Sequence, residues 1–226
     1  MEDRLAGHPR ITMYRGEVFR STLDSEVAYH RYLQPQQARS VTNRVPPLRK
    51  LAYLRSLADN APAEAPVVGF RLMYDQLRRN PSLAVLLPAL GMRVIHLVRE
   101  NVLETAVSVA AARESGLYMT RSAVKKTSAV HLDVSTLLDD LARRQKLIER
   151  HRALVARVPG LEVTYRDYVA DPDGQDARIA SLLGLEPVEL ESEVQRSGST
   201  AVRDRISNID QVESALRSTP FVAFLD

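Results

Sequence analysis

With 226 residues, 45% of them apolar and 26% charged, the chain has the composition of one globular domain large enough to bury a sizeable core. It contains no cysteine, which excludes disulfides, iron–sulfur clusters and thiolate catalysis and leaves zinc only His and carboxylate ligands. A net charge of +3 without a basic run, and an aromatic content of 5%, argue against a nucleic-acid groove, while a pI near 9.3 suits a small anionic ligand.

Periodicity alternates strand and helix along the chain, the pattern of a parallel sheet with helices on both faces. Strands are predicted at residues 10–14, 67–72, 93–98 and 161–165, and helices at 47–59, 81–90, 101–115, 133–158, 175–183 and 210–218. The helix from Asn101 has Asn101 and Glu104 in capping-box positions and Gly116 as its stop. The 133–158 helix carries Val134, Leu137, Leu138, Leu141, Ile148 and Val155 on one stripe, which predicts docking through that face. Residues 20–45 and 117–130 are polar loops, and no repeat or second domain is indicated. The apolar stretch 83–98 is interrupted by Pro88, Gly91 and Arg93 and cannot span a bilayer. Charged Glu2, Asp3 and Arg4 stand where a signal peptide would be apolar, so a cytoplasmic protein is predicted.

In open α/β sheets the ligand crevice lies outside the carboxyl ends of the strands. Glu17, Arg71, Arg99 and Tyr165 each fall at or just past such an end. An arginine there, beside a new helix N-terminus, makes an anion site: a bidentate guanidinium with free N–H groups and a partial positive charge. The segment Val94-Ile-His-Leu-Val-Arg-Glu-Asn-Val-Leu-Glu-Thr-Ala-Val-Ser108 has the order strand-Arg-x-Asn-(six residues)-Ser. That order resembles the 3′-phosphate-binding motif of sulfotransferases that use 3′-phosphoadenosine 5′-phosphosulfate (PAPS), and in particular bacterial members.

Four further stretches resemble that family in the same order: Tyr14-Arg-Gly-Glu-Val-Phe19, Val67-Val-Gly-Phe-Arg-Leu-Met-Tyr74, Val163-Thr-Tyr-Arg-Asp-Tyr168, and the closing run from Val202-Arg-Asp-Arg-Ile-Ser-Asn208 to Pro220-Phe-Val-Ala-Phe-Leu225. Arg166 and Tyr168 depart from the family's pattern in the third. The resemblance implies a P-loop-NTPase-like parallel sheet in a single domain covering residues 1–226, with PAPS as cosubstrate and no metal. It implies phosphate contact by Arg99 and Ser108, for which the alternatives are a carboxylate ion pair and a surface serine. Tyr165 would stack on adenine or simply pack in its strand. Glu17 would be the base that takes the acceptor's proton, or else a capping or ion-pairing carboxylate. Arg196-Ser-Gly-Ser-Thr200 is read as approaching the cosubstrate; a permuted P-loop is disfavoured because acidic Glu189-Leu-Glu-Ser-Glu-Val-Gln195 precedes it rather than an apolar strand. His96 is a core histidine, and His8, His30, His131 and His151 lack ligand spacing, so no metal site is predicted.

One departure stands out. The family opens with a strand and a Gly-rich loop that cradles the 5′-phosphosulfate, whereas Met1-Glu-Asp-Arg-Leu-Ala-Gly-His-Pro9 resembles the end of the helix that follows that loop. The absent strand belongs between the strands at 67–72 and 93–98, leaving a slot about two strand spacings wide, roughly 10 Å. Three outcomes follow: the two strands close up and pair, another segment fills the slot, or the chain is a truncated product; truncation or a misplaced start codon is favoured, with the short form inactive or slow. The leading reading is therefore a sulfotransferase acting on a hydroxyl of a carbohydrate, lipid or other small molecule. The alternative is a non-catalytic nucleotide-binding or interaction protein of that descent. A different P-loop phosphotransferase is disfavoured, since no Gly-x-x-x-x-Gly-Lys-[Ser/Thr] occurs.

Overall fold

The structure is a computed structural model, and it describes residues 1–19, 28–32, 45–116, 129–191 and 201–225. It is mixed α/β, with the strands β1 (Ile11–Glu17), β2 (Val67–Arg71), β3 (Val94–Val98) and β4 (Gly160–Thr164). The helices are α1 (Glu2–Ala6), α2 (Tyr29–Tyr32), α3 (Pro46–Asp59), α4 (Tyr74–Arg79), α5 (Leu83–Ala89), α6 (Val102–Ser115), α7 (Val134–Val155), α8 (Tyr165–Ala170), α9 (Pro172–Leu183) and α10 (Ile209–Leu216). Short 3-10 turns follow at Arg203–Arg205 and Pro220–Leu225. No helix among the described residues is long and apolar enough to cross a membrane.

The strands form two two-stranded sheets, β1 with β2 and β3 with β4; β2 and β3 are not paired. β1 and β2 run parallel, with Ile11 opposite Val67 and Tyr14 opposite Phe70. The register then slips so that Glu17 lies opposite Arg71. A slip of this kind re-aims a side chain at the end of a strand, and here it brings a carboxylate across from a guanidinium.

The chain divides into two compact units. The first comprises Met1–His96, His151–Val163 and Asp167–Glu191. Its β1–β2 sheet is covered on both faces, as alternation along a strand requires when each face meets a core. Ile11, Met13 and Val67 join a cluster with Leu5, Val163, Tyr168, Ile179 and Leu190, to which Ile95 and Leu161 of β3 and β4 also belong. Tyr14, Val68 and Phe70 point the other way, into a cluster of Val18, Tyr53, Leu54, Leu57 and Leu83. That second core is rich in rings: Phe19 lies 5.2 Å from Tyr29 and 5.5 Å from Tyr53.

A buried ion pair pins α1 to α9. Arg4 Nε donates to Asp176 Oδ2 at 2.6 Å, and Tyr168 Oη donates to Asp176 Oδ1 at 2.8 Å. Asp176 is buried, so the two bonds replace the water its carboxylate gave up.

The second unit comprises Leu97–Arg150, Thr164–Arg166 and Ser192–Asp226. Val102, Leu103, Ala106 and Val107 of α6 are buried in it, as are Leu137, Leu141 and Ile148 of α7. A bridge between Val130 and Ile206 ties its middle to its closing segment. Asn208 adds two hydrogen bonds to the Leu132 backbone, at 2.9 and 2.8 Å.

Candidate functional site

Arg99 follows the last residue of β3, and α6 begins three positions later because its cap is local and strong. Asn101 is extended and its side chain accepts from the Glu104 N–H at 2.8 Å, while Gly116 closes the helix at φ 70°. Asn101 Nδ2 also donates to the Phe224 carbonyl at 2.9 Å, fastening the closing segment to the start of α6. The cap and the stop are those predicted from the sequence.

The Arg99 guanidinium lies 4.0 Å from the centroid of the Tyr165 ring. Tyr165 is the first residue of α8 rather than the last of a strand, so its ring leaves the sheet and covers the cation. No carboxylate among the described residues pairs with Arg99, so the ion-pair alternative for this arginine finds no partner there. A cation over a ring gains attraction from the ring face without using a hydrogen-bond acceptor.

Ser108 sits seven residues past Asn101, and its hydroxyl accepts from Arg205 Nη2 at 3.3 Å. Arg205 also approaches Glu104 to 4.0 Å and is largely enclosed. Glu104 and Ser108 are four apart and share one helix face, which is why one guanidinium reaches both. Arg205 was not among the predicted site residues. Its signal lay in Val202-Arg-Asp-Arg-Ile-Ser-Asn208, but a contact across 97 positions has no local spacing to reveal it.

Glu17 belongs to the first unit. Its Oε2 accepts from Gln76 Nε2 at 2.8 Å, and its Oε1 lies 3.7 Å from Arg71 Nη2. Arg71 Nη1 meets Glu2 at 3.0 Å. Gln76 is only 4% exposed, and its Oε1 accepts from the Met73 N–H at 3.3 Å, which leaves its NH2 to face Glu17. Glu17 is thus ion-paired, as one alternative had it, and also aimed by a buried amide. Gln76 was missed by the sequence reading because α4 is too short to show a helical period.

His96, predicted to be a core histidine, is buried and lies at the centre of a polar layer in the first unit. Its Nδ1 is 3.0 Å from Glu162 Oε2 and its Nε2 is 2.6 Å from Tyr74 Oη. Arg152 holds Glu162 through Nε at 3.0 Å and Nη2 at 2.8 Å, and the His151 ring stacks on Tyr74 at 4.0 Å. Burial pulls the His96 imidazole below its usual value, with Glu162 opposing. Arg152's hydrogen bonds hold the Glu162 carboxyl below the ordinary carboxylate range, and burial pushes the Tyr74 phenol up to about 12.

An open cleft of about 650 Å³ lies against α6 and the start of α7, lined by Ala106, Ala110, Leu132, Leu137, Asp140 and Arg144. Asp140 and Arg144 satisfy each other at 2.7 Å, and neither Arg99, Ser108 nor Tyr165 lines it. Arg196 and nearly all of the two polar loops lie outside the described residues, so no geometry attaches to them. The described site residues therefore stand in three separate contacts: Glu17 with Arg71, Arg99 with Tyr165, and Ser108 with Arg205, which was not predicted.

Comparison of the sequence with protein-family models and with curated proteins, and of the structure with solved structures, finds no match.

Proposed function

We propose that this chain binds 3′-phosphoadenosine 5′-phosphosulfate or its product, adenosine 3′,5′-bisphosphate, in the manner of a sulfotransferase. The observation that carries the reading is Arg99. It is a guanidinium at the carboxyl end of a strand, supported by an aromatic ring and unpaired with any described carboxylate, immediately before a capped helix. The Ser108 hydroxyl on that helix accepts from the Arg205 guanidinium, which comes from the closing segment and also approaches Glu104. Two guanidinium groups and a helix N-terminus suit a phosphate dianion, for which bidentate charge-assisted hydrogen bonds are the strong choice.

In the reaction, an acceptor hydroxyl oxygen bonds to sulfur as the sulfur–oxygen bond to the 5′-phosphate breaks. The hydroxyl proton passes to a carboxylate base, the role the family resemblance gives Glu17 of the first unit, and adenosine 3′,5′-bisphosphate departs with the electron pair. The acceptor would be a hydroxyl of a carbohydrate, a lipid or another small molecule.

A second reading, binding without chemistry, is favoured by the division of the strands. β2 and β3 are not paired with each other, and no strand among the described residues joins them. One preorganised donor is worth roughly 10²–10³ in rate, so turnover depends on donors at the 5′ end that the described strands do not supply. Calorimetric titration with adenosine 3′,5′-bisphosphate, paired with a radiolabelled sulfuryl-transfer assay, distinguishes the readings. Binding with turnover supports the enzyme, and binding without turnover supports the second reading. Preference for ATP with magnesium would refute both.

A further inference from the structure

Helix α6 of the second unit carries three hydroxyl side chains, and two of them bond as hydroxyls in a helix ordinarily do. Thr105 Oγ1 donates back to the Asn101 carbonyl at 3.4 Å, and Ser115 Oγ to the Ala111 carbonyl at 2.8 Å, each four residues earlier. Ser108 does not. Its oxygen accepts from Arg205 Nη2 at 3.3 Å, and no group among the described residues accepts its hydrogen. A hydroxyl has one hydrogen to give and two lone pairs to receive with. Ser108 is half-buried, so that hydrogen is left for water or a ligand.

Arg205 can hold the Ser108 oxygen because its own backbone is clamped. Its N–H donates to the Val202 carbonyl at 3.1 Å, and its carbonyl accepts from the Val130 N–H at 2.9 Å. Two residues on, the Ser207 N–H returns to the Val130 carbonyl at 2.8 Å. Val130, Leu132 and Ile206 are all buried at this bridge. The guanidinium thus leaves a fixed backbone and is only 17% exposed, with the Glu104 carboxylate, at 4.0 Å, beyond hydrogen-bond reach. Glu104 lies one turn before Ser108, so its backbone carbonyl is the acceptor that Ser108 would otherwise take.

We propose that Arg205 is a positioning residue: it anchors the Ser108 oxygen away from the Glu104 carbonyl and so keeps the hydroxyl as a donor to an incoming phosphate oxygen. Helical side chains lean toward the helix N-terminus, so Ser108 leans toward the end of α6 that Asn101 caps. That the acceptor is a 3′-phosphate rests on the sulfotransferase reading; the anchoring of the hydroxyl does not.

Nuclear magnetic resonance of the full 226-residue chain tests the anchoring without any ligand, through the backbone carbonyl carbon signal of Glu104. Arg205→Met should move that signal, because Ser108 then bonds back into the helix as Ser115 does. The movement should be much smaller in a Ser108→Ala background, where no hydroxyl is present to donate. An unmoved signal, or equal movement in both backgrounds, overturns the proposal. Arg205→Gln, also too short to reach Ser108, carries the same expectation if Arg205→Met does not fold. Calorimetry with adenosine 3′,5′-bisphosphate supplies the second arm. Ser108→Ala should weaken binding about tenfold in the natural chain but less than about twofold in Arg205→Met. An equal loss in both backgrounds also overturns the proposal, since Arg205 would then not act through Ser108. Absence of binding by the natural chain counts against the sulfotransferase reading instead, and the Glu104 signal still decides the anchoring.

Discussion

Arg99 is a side chain whose position is set by two short-range facts, the end of β3 and the Asn101 cap, and whose orientation is set by the Tyr165 ring. Charge-assisted hydrogen bonds contribute about 1.5–3 kcal/mol each, so Arg99→Ala should weaken binding of adenosine 3′,5′-bisphosphate by at least roughly tenfold, and Arg99→Lys by nearly as much because the planar fork is lost. Tyr165→Leu removes only a cation–π contact of about 0.5–1 kcal/mol and should cost a few-fold. Calorimetry on the three variants checks that ranking. A Tyr165→Leu loss larger than that of Arg99→Ala would mean that the ring, not the cation, meets the ligand.

The polar layer around His96 makes a separate prediction, on stability against pH. Burial lowers the folded-state value of the imidazole, so the unfolded chain binds that proton more readily. The associated stability is present above the unfolded value of about 6.5 and is lost as pH falls through the lower folded value. Glu162, also lowered, loses its share further down, as pH falls through its own folded value. Urea midpoints should therefore fall between pH 7.5 and 5 in the natural chain and change less over that range in His96→Gln. An equal drop in both would assign the acid sensitivity to other groups.

The elements themselves were largely legible, and the reasons are local. Asn101, Glu104 and Gly116 announce α6 by cap chemistry that acts over three or four residues, and the predicted 101–115 became Val102–Ser115. The strand predicted at 67–72 became Val67–Arg71, a short apolar run that follows Pro66. What stayed hidden was either short or distant. α4 has six residues and no readable period, yet it carries Tyr74 and Gln76. Arg205 reaches Ser108 from 97 positions away. The register slip that sets Glu17 opposite Arg71 depends on how β1 and β2 meet, which neither strand encodes alone.

Substitutions at two residues test the joints between elements. Asn101→Ala removes the α6 cap and the bond to the Phe224 carbonyl, and should cost about 1–2 kcal/mol in urea unfolding. Asn101→Asp keeps the acceptor and should cost less. Asp176→Ala removes the buried partner of Arg4 and of the Tyr168 hydroxyl but leaves the Arg4–Asp173 ion pair, so the cost should fall short of that for a fully stranded buried charge, at roughly 1–3 kcal/mol. A loss below about 1 kcal/mol would show that α1 is not held to α9 by that pair.

Across the molecule, the strands fall into the pairs β1–β2 and β3–β4, with one hydrophobic cluster drawing on both. On the proposed reading, binding and turnover are separate questions: recognition of a 3′-phosphate would draw on Arg99, Ser108 and the start of α6, whereas sulfuryl transfer also needs donors at the 5′ end.

The most direct test compares thermal stabilisation by adenosine 3′,5′-bisphosphate with that by adenosine 5′-monophosphate, in the natural chain and in Arg99→Ala. A ligand at 100 times its dissociation constant adds about 2.7 kcal/mol. The bisphosphate should raise the melting temperature of the natural chain by several degrees, with little effect from the monophosphate and little from either ligand on Arg99→Ala. Equal response to the two nucleotides, or a bisphosphate response that survives in Arg99→Ala, would contradict the assignment of Arg99 to a ribose 3′-phosphate.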